Sequence, residues 1–234
     1  MGFSRGPKIV IDGLIFALDA GNPKCFTSGA TTATCLISGF NCSGASGTPG
    51  SGTHTPNSAN FPAYNSLNSG IFDFDGGRGI NIDGDLGSTT ASTISMWFYK
   101  NSSNTQYFTD GRNNGGTWFL SNYTSDNINW NEKLTYDFED PYNASASDFL
   151  NQWIHMVACS DGDGSKLYLN GVEVSTSTST SADEDFGINY RIGTRYTTSS
   201  EWTGYIGPIY FYNKKLNATE AAQNYNAQKL RFEL

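Results

Sequence analysis

Two carboxylates held on one strand face can cleave a glycosidic bond, one attacking or activating water while the other protonates the leaving oxygen. In YDFEDPY, Asp137 and Glu139 alternate and would share such a face, with Asp140 beside them. No third carboxylate follows at regular spacing, and the stretch reads as a solvated edge ahead of Pro141. A nucleophile relay would need a histidine within reach of a hydroxyl and a carboxylate. His155, in WIHMVAC, alternates with Trp153, Val157 and Cys159 on one strand face, the pattern of a packed, hydrogen-bonded histidine. Calcium chemistry asks for six to eight oxygens from carboxylates, loop carbonyls and water. Asp161 and Asp163 in SDGDGS have a suitable alternation but no bidentate Glu at the twelfth place; Asp83 and Asp85 in NIDGDLG, and Asp73 and Asp75 in FDFDGG, are alternatives. Asp-Gly is first of all a turn signal. Aromatic rings among amides suit the faces and hydroxyls of a sugar, and Trp118, Tyr123 and Trp130 lie in the Asn- and Asp-rich stretch GGTWFLSNYTSDNINW. Trp97 and Trp153 read as core. Cys25, Cys35, Cys42 and Cys159 show no metal-ligand spacing, with His54 the one imidazole near the first three, and read as reduced, unligated thiols.

The elements that must position these residues are strands. In KLYLNGVEV the pair Asn170-Gly171 tolerates the positive φ angles of a type I′ turn, so Leu169 should face Val172 and Leu167 should face Val174. Ile94, Met96 and Phe98 occupy one face of TISMWFYK and Trp97 and Tyr99 the other, as in a strand covered on both sides. Further short alternating segments, with 26 glycines among 234 residues, predict a sandwich or barrel. One helix is expected at the end, where Asn217 and Glu220 have capping-box spacing and Ala221, Ala222 and Tyr225 could face inward. Residues 27–60, mostly Gly, Ser, Thr, Asn and Pro, are expected to be a surface insertion within a single domain spanning 1–234, with Leu36, Ile37 and Phe40 offered to a partner.

The net charge of −8 argues against nucleic acid, which needs a basic footprint. No apolar run is long enough to span a membrane, and MGFSRGPKIVIDGLIF lacks the apolar core and cleavage site of a signal peptide, so synthesis in a cytoplasm without export by the usual route is expected.

As a set, FDG at 74–76, TISMWF at 93–98, WIHMVA at 153–158, KLYLNGVEV at 166–174, RIGTR at 191–195 and WTGYIGPIYFYNKKLNATEAAQNYNA at 202–227 resemble the laminin-G-like, concanavalin A-like superfamily. The resemblance implies an all-β jelly-roll sandwich of two antiparallel sheets with one short C-terminal helix, the first strand near Leu14–Leu18 lying beside the last, Ile206–Tyr212. It also implies calcium at the sandwich rim and a glycan ligand. Hydrolases of that fold carry a Glu-x-Asp-x-x-Glu-like strand, which this sequence lacks. The opening GPKIVIDGLIFALDAGNPKCF and the closing NKKLNATEAAQNYNAQKLRF resemble a narrower group, virion structural proteins of tailed, notably marine, bacteriophages. The expectation is a non-enzymatic module on the virion surface, in capsid, neck or tail, with other virion proteins or further copies of itself as partners. The alternatives are a polysaccharide-degrading enzyme and an architectural cement protein without a ligand.

Overall fold

The computed structural model describes residues 8–45, 60–111, 119–122, 128–130, 137–138, 149–177, 184–187, 190–195 and 200–233. Among the described residues eighteen strands, numbered in chain order, form two large antiparallel sheets and a small ribbon. The first sheet runs β15 (Val172–Ser177), β14 (Gly164–Leu169), β13 (Trp153–Asp161), β8 (Ala91–Lys100), β18 (Thr203–Tyr212), β5 (Ile71–Asp75) and β4 (Ala63–Asn65). β1 (Leu14–Leu18) pairs with the second half of β18, Leu14 opposite Tyr212 and Leu18 opposite Ile209, as the sequence predicts. The second sheet runs β12 (Asp137–Phe138), β11 (Ile128–Trp130), β10 (Phe119–Asn122), β9 (Gln106–Asp110), β17 (Arg191–Ile192), β6 (Ile80–Asp83), β3 (Asn41–Gly44) and β2 (Thr32–Thr34). β7 (Ser88–Thr89) and β16 (Glu184–Asp185) make the ribbon.

Alternation explains the layering. Ile94, Met96 and Phe98 of β8 enter the core between the sheets with Phe72 and Phe74 of β5, Ile80 and Ile82 of β6 and Phe108 of β9. The other face of the first sheet is covered in part by the helix α1 (Ala218–Gln228) and a 3-10 turn over Lys229–Phe232. The capping box forms: Glu220 N–H donates to Asn217 Oδ1 and Asn217 N–H to Glu220 Oε2, both at 3.0 Å. Ala221 is buried as expected, but the other fully buried position is Asn224, with Ala222 and Tyr225 half-buried. Asn224 Oδ1 accepts from Val10 N–H at 2.8 Å, and its amide nitrogen donates to the Tyr212 hydroxyl at 3.0 Å and Ser95 Oγ at 3.3 Å. No helix among the described residues is long and apolar enough to cross a membrane.

Three expectations need correction. Asn170 and Gly171 adopt φ values of 50° and 80°, and Leu169 faces Val172 as predicted. A bulge then places Leu167 opposite Ser175 and Tyr168 opposite Glu173, so Leu167 does not face Val174, although both enter the core. The described part of 27–60 is not a surface excursion. β3 pairs with β6, Cys42 opposite Ile82, and β2 pairs with β3. Ala33, Cys35 and Cys42 are buried, while Leu36 and Phe40 pack on the core, leaving Ile37 exposed. The side chains buried there are small, and the backbones of β2, β3 and β6 satisfy one another in the ladder. Residues 46–59 of that segment lie outside the described residues. Finally, Trp97 is fully buried under the 3-10 turn, but Trp153 is only half-buried on the outer face of the first sheet.

Candidate functional site

The carboxylates singled out in the sequence are spread over separate turns. Asp161 ends β13 and is ion-paired with Lys215 at 2.7 Å, the ammonium also donating to Gly164 O at 2.6 Å. That cation occupies the carboxylate edge a calcium ion would need. Asp161 Oδ1 also accepts from Asp163 N–H at 3.0 Å, an Asx turn that accounts for the SDGDGS pattern. Asp83 Oδ1 accepts from Ser43 Oγ at 2.9 Å and Asn81 Nδ2 at 2.8 Å, which ties β3 to β6. Asp85 Oδ1 accepts from Gly87 N–H at 2.8 Å and Asp75 Oδ1 from Gly77 N–H at 3.1 Å, again turn bonds. Among the described residues no three His, Cys, Asp or Glu side chains gather to hold a metal.

Of the hydrolytic candidates, Asp137 lies in β12 opposite Asn129, while Glu139 and Asp140 lie outside the described residues. Of the proposed sugar-contacting aromatics, Trp118 and Tyr123 lie outside them as well, and Trp130 closes β11 opposite Leu120. All four cysteines are free and buried. Burial pushes the Cys25 thiol up to about 11 and that of Cys159 up to about 12, so neither supplies a thiolate near neutrality.

His155 is fully buried on the helix-covered face. Its Nε2 lies 3.1 Å from Ser95 Oγ, and its ring packs on Trp97 at 5.0 Å between centroids. Burial without a charged partner drives its pKa down to about 3. An unfolded histidine titrates near 6.5. Between these values the unfolded chain binds a proton that the native state does not, so stability falls as pH drops from about 6.5 towards 3, by about 1.4 kcal/mol per pH unit. Urea midpoints measured across this range should decline, and His155→Gln should flatten the decline by about one proton. An unchanged slope in the variant would mean that His155 already carries its proton in the native state.

An aromatic grouping that sequence patterns did not isolate lies beside the helix cover. Trp153, Tyr99 and Tyr205 occupy matching positions on β13, β8 and β18, and all three are half-buried. Tyr99 lies 5.7 Å from Trp153 and 5.4 Å from Tyr205 between ring centroids. The signal that could have found it is the strand register, Trp153 and Tyr205 each facing Tyr99.

Two face-packed antiparallel sheets in this strand order, closed by a capped C-terminal helix, define a lectin-type β-sandwich. The chain belongs to the concanavalin A-like lectin/glucanases superfamily, whose family model matches residues 74–222. No curated protein matches its sequence. Among solved structures it is similar to domain 4 of AbnA, a GH43 extracellular arabinanase from Geobacillus stearothermophilus, in complex with arabinotriose. The identity is 18%, the TM-score 0.66, and the match covers 96% of this chain and 100% of that domain. It is also similar to the botulinum neurotoxin serotype D binding domain, at 16% identity and TM-score 0.60, over 94% of this chain and 52% of that one. A sialidase of Trypanosoma rangeli matches at 13% identity and TM-score 0.59, over 97% of this chain and 36% of the sialidase. At such identities these likenesses establish the fold.

Proposed function

We propose that the protein is a non-enzymatic carbohydrate-binding module. The observation that carries this reading is the end-to-end match to an arabinanase domain in complex with arabinotriose, in which neither chain leaves a large part unmatched. Three of the carboxylates singled out in the sequence add support, since Asp161 is committed to Lys215 and a turn, Asp85 to a turn and Asp83 to the β3–β6 contact. A hydrolase would need two of them at a fixed separation.

The setting we propose is the virion of a tailed bacteriophage, with the module displayed outward from capsid, neck or tail and held by other virion proteins or by further copies of itself. The motifs at the two ends of the sequence motivate that setting. The charge of −8 adds to it, because a phosphate-dense interior would repel the domain. The deciding experiment pairs a glycan array with a reducing-sugar assay on host polysaccharide and gold-labelled antibody on intact particles. Binding without sugar release, and labelling without opening the capsid, are expected. Sugar release abolished by Glu139→Gln would make the protein a hydrolase instead. Labelling seen only after the capsid is opened would remove the outward placement.

A further inference from the structure

The uncovered part of the first sheet's outer face is graded from one end to the other. At one end Trp97 and Ile71 lie beneath Phe232, which reaches the sheet because position 207 is glycine; a Cβ there would meet Phe232 Cζ at 2.9 Å and Trp97 Cβ at 3.0 Å. The next row across the strands is Trp153, Tyr99, Tyr205 and Asp73, each opposite its neighbour. Beyond it come Thr203 and Asp75, paired with each other, and the exposed Asn101 and Asn151. Asn101 N–H donates to Thr203 O at 3.3 Å and Asn151 N–H to Lys100 O at 2.8 Å, so backbone bonds hold this polar margin in place.

We infer that the row Trp153–Tyr99–Tyr205 is a binding platform for a neutral oligosaccharide, with Asp73, Thr203 and Asp75 as its hydroxyl-binding margin. This rests on the carbohydrate-binding reading above and gives it a location. Three features favour a sugar over other occupants. The rings offer polar handles as well as faces: neither tyrosine hydroxyl nor the Trp153 indole N–H has a hydrogen-bond partner among the described residues. A sugar matches that combination, presenting C–H faces to rings and hydroxyls to donors and carboxylates. Size is the second feature. Rings that bury at most about 250 Å² each, and are here at most about a third exposed, leave on the order of 200 Å² open together. A protein partner needs about 800 Å² on each side. The row from β13 to β5 crosses three strand spacings, about 14 Å, which suits several linked sugar rings better than one.

Charge is the third feature, and it sets the class of sugar. Asp73, Asp75 and Glu201 stand at the margin, and burial with the nearby Asp75 charge raises the Glu201 carboxyl above its ordinary value. Arg78 pairs with Asp75 at 3.1 Å, which leaves the margin acidic on balance. Carboxylates accept hydroxyl hydrogens well and repel uronates and sialic acids.

The test titrates the full chain with arabinotriose, cellotriose, maltotriose and trigalacturonate, following tryptophan fluorescence and calorimetry. At least one neutral trisaccharide should bind and alter the emission of Trp153, and trigalacturonate should not. Tyr99→Ala and Tyr205→Ala should each weaken binding about tenfold or more, whereas Trp130→Ala should leave it unchanged. Tyr205→Phe, which keeps ring and packing, should weaken it about threefold and guards against a variant that fails to fold. If the tyrosine variants bind like the wild type while Trp118→Ala or Trp130→Ala does not, the platform is refuted and the carbohydrate-binding reading survives. If the wild type binds no neutral trisaccharide at millimolar concentration, both fall. A dimer in sedimentation that Tyr205→Ala dissolves would make the platform a contact between copies and overturn the proposal.

Discussion

Removing residues 27–60 should abolish cooperative folding. The deletion strips β2 and β3 from the second sheet, and with them the ladder that sets Cys42 opposite Ile82 and Gly44 opposite Ile80. It also takes away the buried side chains of Ala33, Cys35, Cys42 and Ala45 and the packed rings and methyls of Phe40 and Leu36. At about 1 kcal/mol for each small buried side chain and more for the larger two, the apolar loss alone is at least about 5 kcal/mol. A domain has about 5–15 kcal/mol in total. The loss is compounded because β6 becomes an unpaired edge displaying Ile80 and Ile82, which invites aggregation. A second variant makes the same point without altering the chain length. Cys42→Asp sets a carboxylate at a fully buried position beside Ile82, and an isolated buried charge there costs several kcal/mol. Thermal melts followed by far-ultraviolet circular dichroism decide the matter. A deletion variant that still melts cooperatively within a few degrees of the parent would show that β3 is dispensable to the sheet.

Why the 27–60 segment misleads a reader of the sequence is instructive. Strand prediction weighs runs of alternating apolar residues, and β2 and β3 are only three and four residues long, spelled Thr-Ala-Thr and Asn-Cys-Ser-Gly, with no large apolar side chain. Their place in the sheet comes from backbone pairing and the burial of small side chains such as Ala33 and Cys42, neither of which leaves a periodic apolar trace. Where one face was strongly apolar the sequence sufficed. The alternation in β8, the Asn170-Gly171 turn, the capped helix and the return of β1 to β18 are all as expected. Asn224 was hidden for the opposite reason: a polar residue on the inward helix face looks like a solvated one until Val10, Ser95 and Tyr212 are seen to satisfy it. The bulge at Leu167–Tyr168 depends on which residue the sheet leaves unpaired, and the turn sequence does not encode that. The aromatic platform was illegible for a topological reason. Residues 99, 153 and 205 become neighbours only when β13, β8 and β18 lie side by side in register. The residues proposed from composition, Trp118, Tyr123 and Trp130, cluster in sequence, and that proximity made them visible to a local reading.

Arg231→Met should lower the melting temperature by roughly 6–20 °C and shift tryptophan emission. The Arg231 guanidinium ties the C-terminal 3-10 turn to two other segments, the loop at Asp19 and the turn at Asn68–Gly70. Nη1 and Nη2 bind the two oxygens of Asp19 at 2.8 and 2.9 Å, a bidentate pair, and Nε donates to Asn68 O at 2.5 Å. Nη2 also donates to Gly70 O. The socket depends on glycines: a Cβ at Gly21 would come within 2.6 Å of Arg231 Nη2, and Gly70 holds a φ of 109°. Both charged side chains are largely buried, 17% and 16% exposed, so removing the arginine strands a carboxylate with little water to replace its partner. Breaking such a pair costs about 3–5 kcal/mol, and each kcal/mol moves the melting temperature by about 2–4 °C for a chain of this size. The spectroscopic effect follows from the next residue, since Phe232 stacks on Trp97 at 4.2 Å and packs at a tilt against Trp153 at 4.5 Å between centroids, forming the wall of the aromatic platform. Arg231→Lys should not restore stability, because an ammonium cannot span both carboxylate oxygens and the Asn68 and Gly70 carbonyls. Adding Asp19→Asn to Arg231→Met should recover part of the loss by removing the unpaired charge, and the double-mutant cycle isolates the pair's coupling. A melting temperature for Arg231→Met within two degrees of the parent would mean that the turn is held by the Phe232 stack alone.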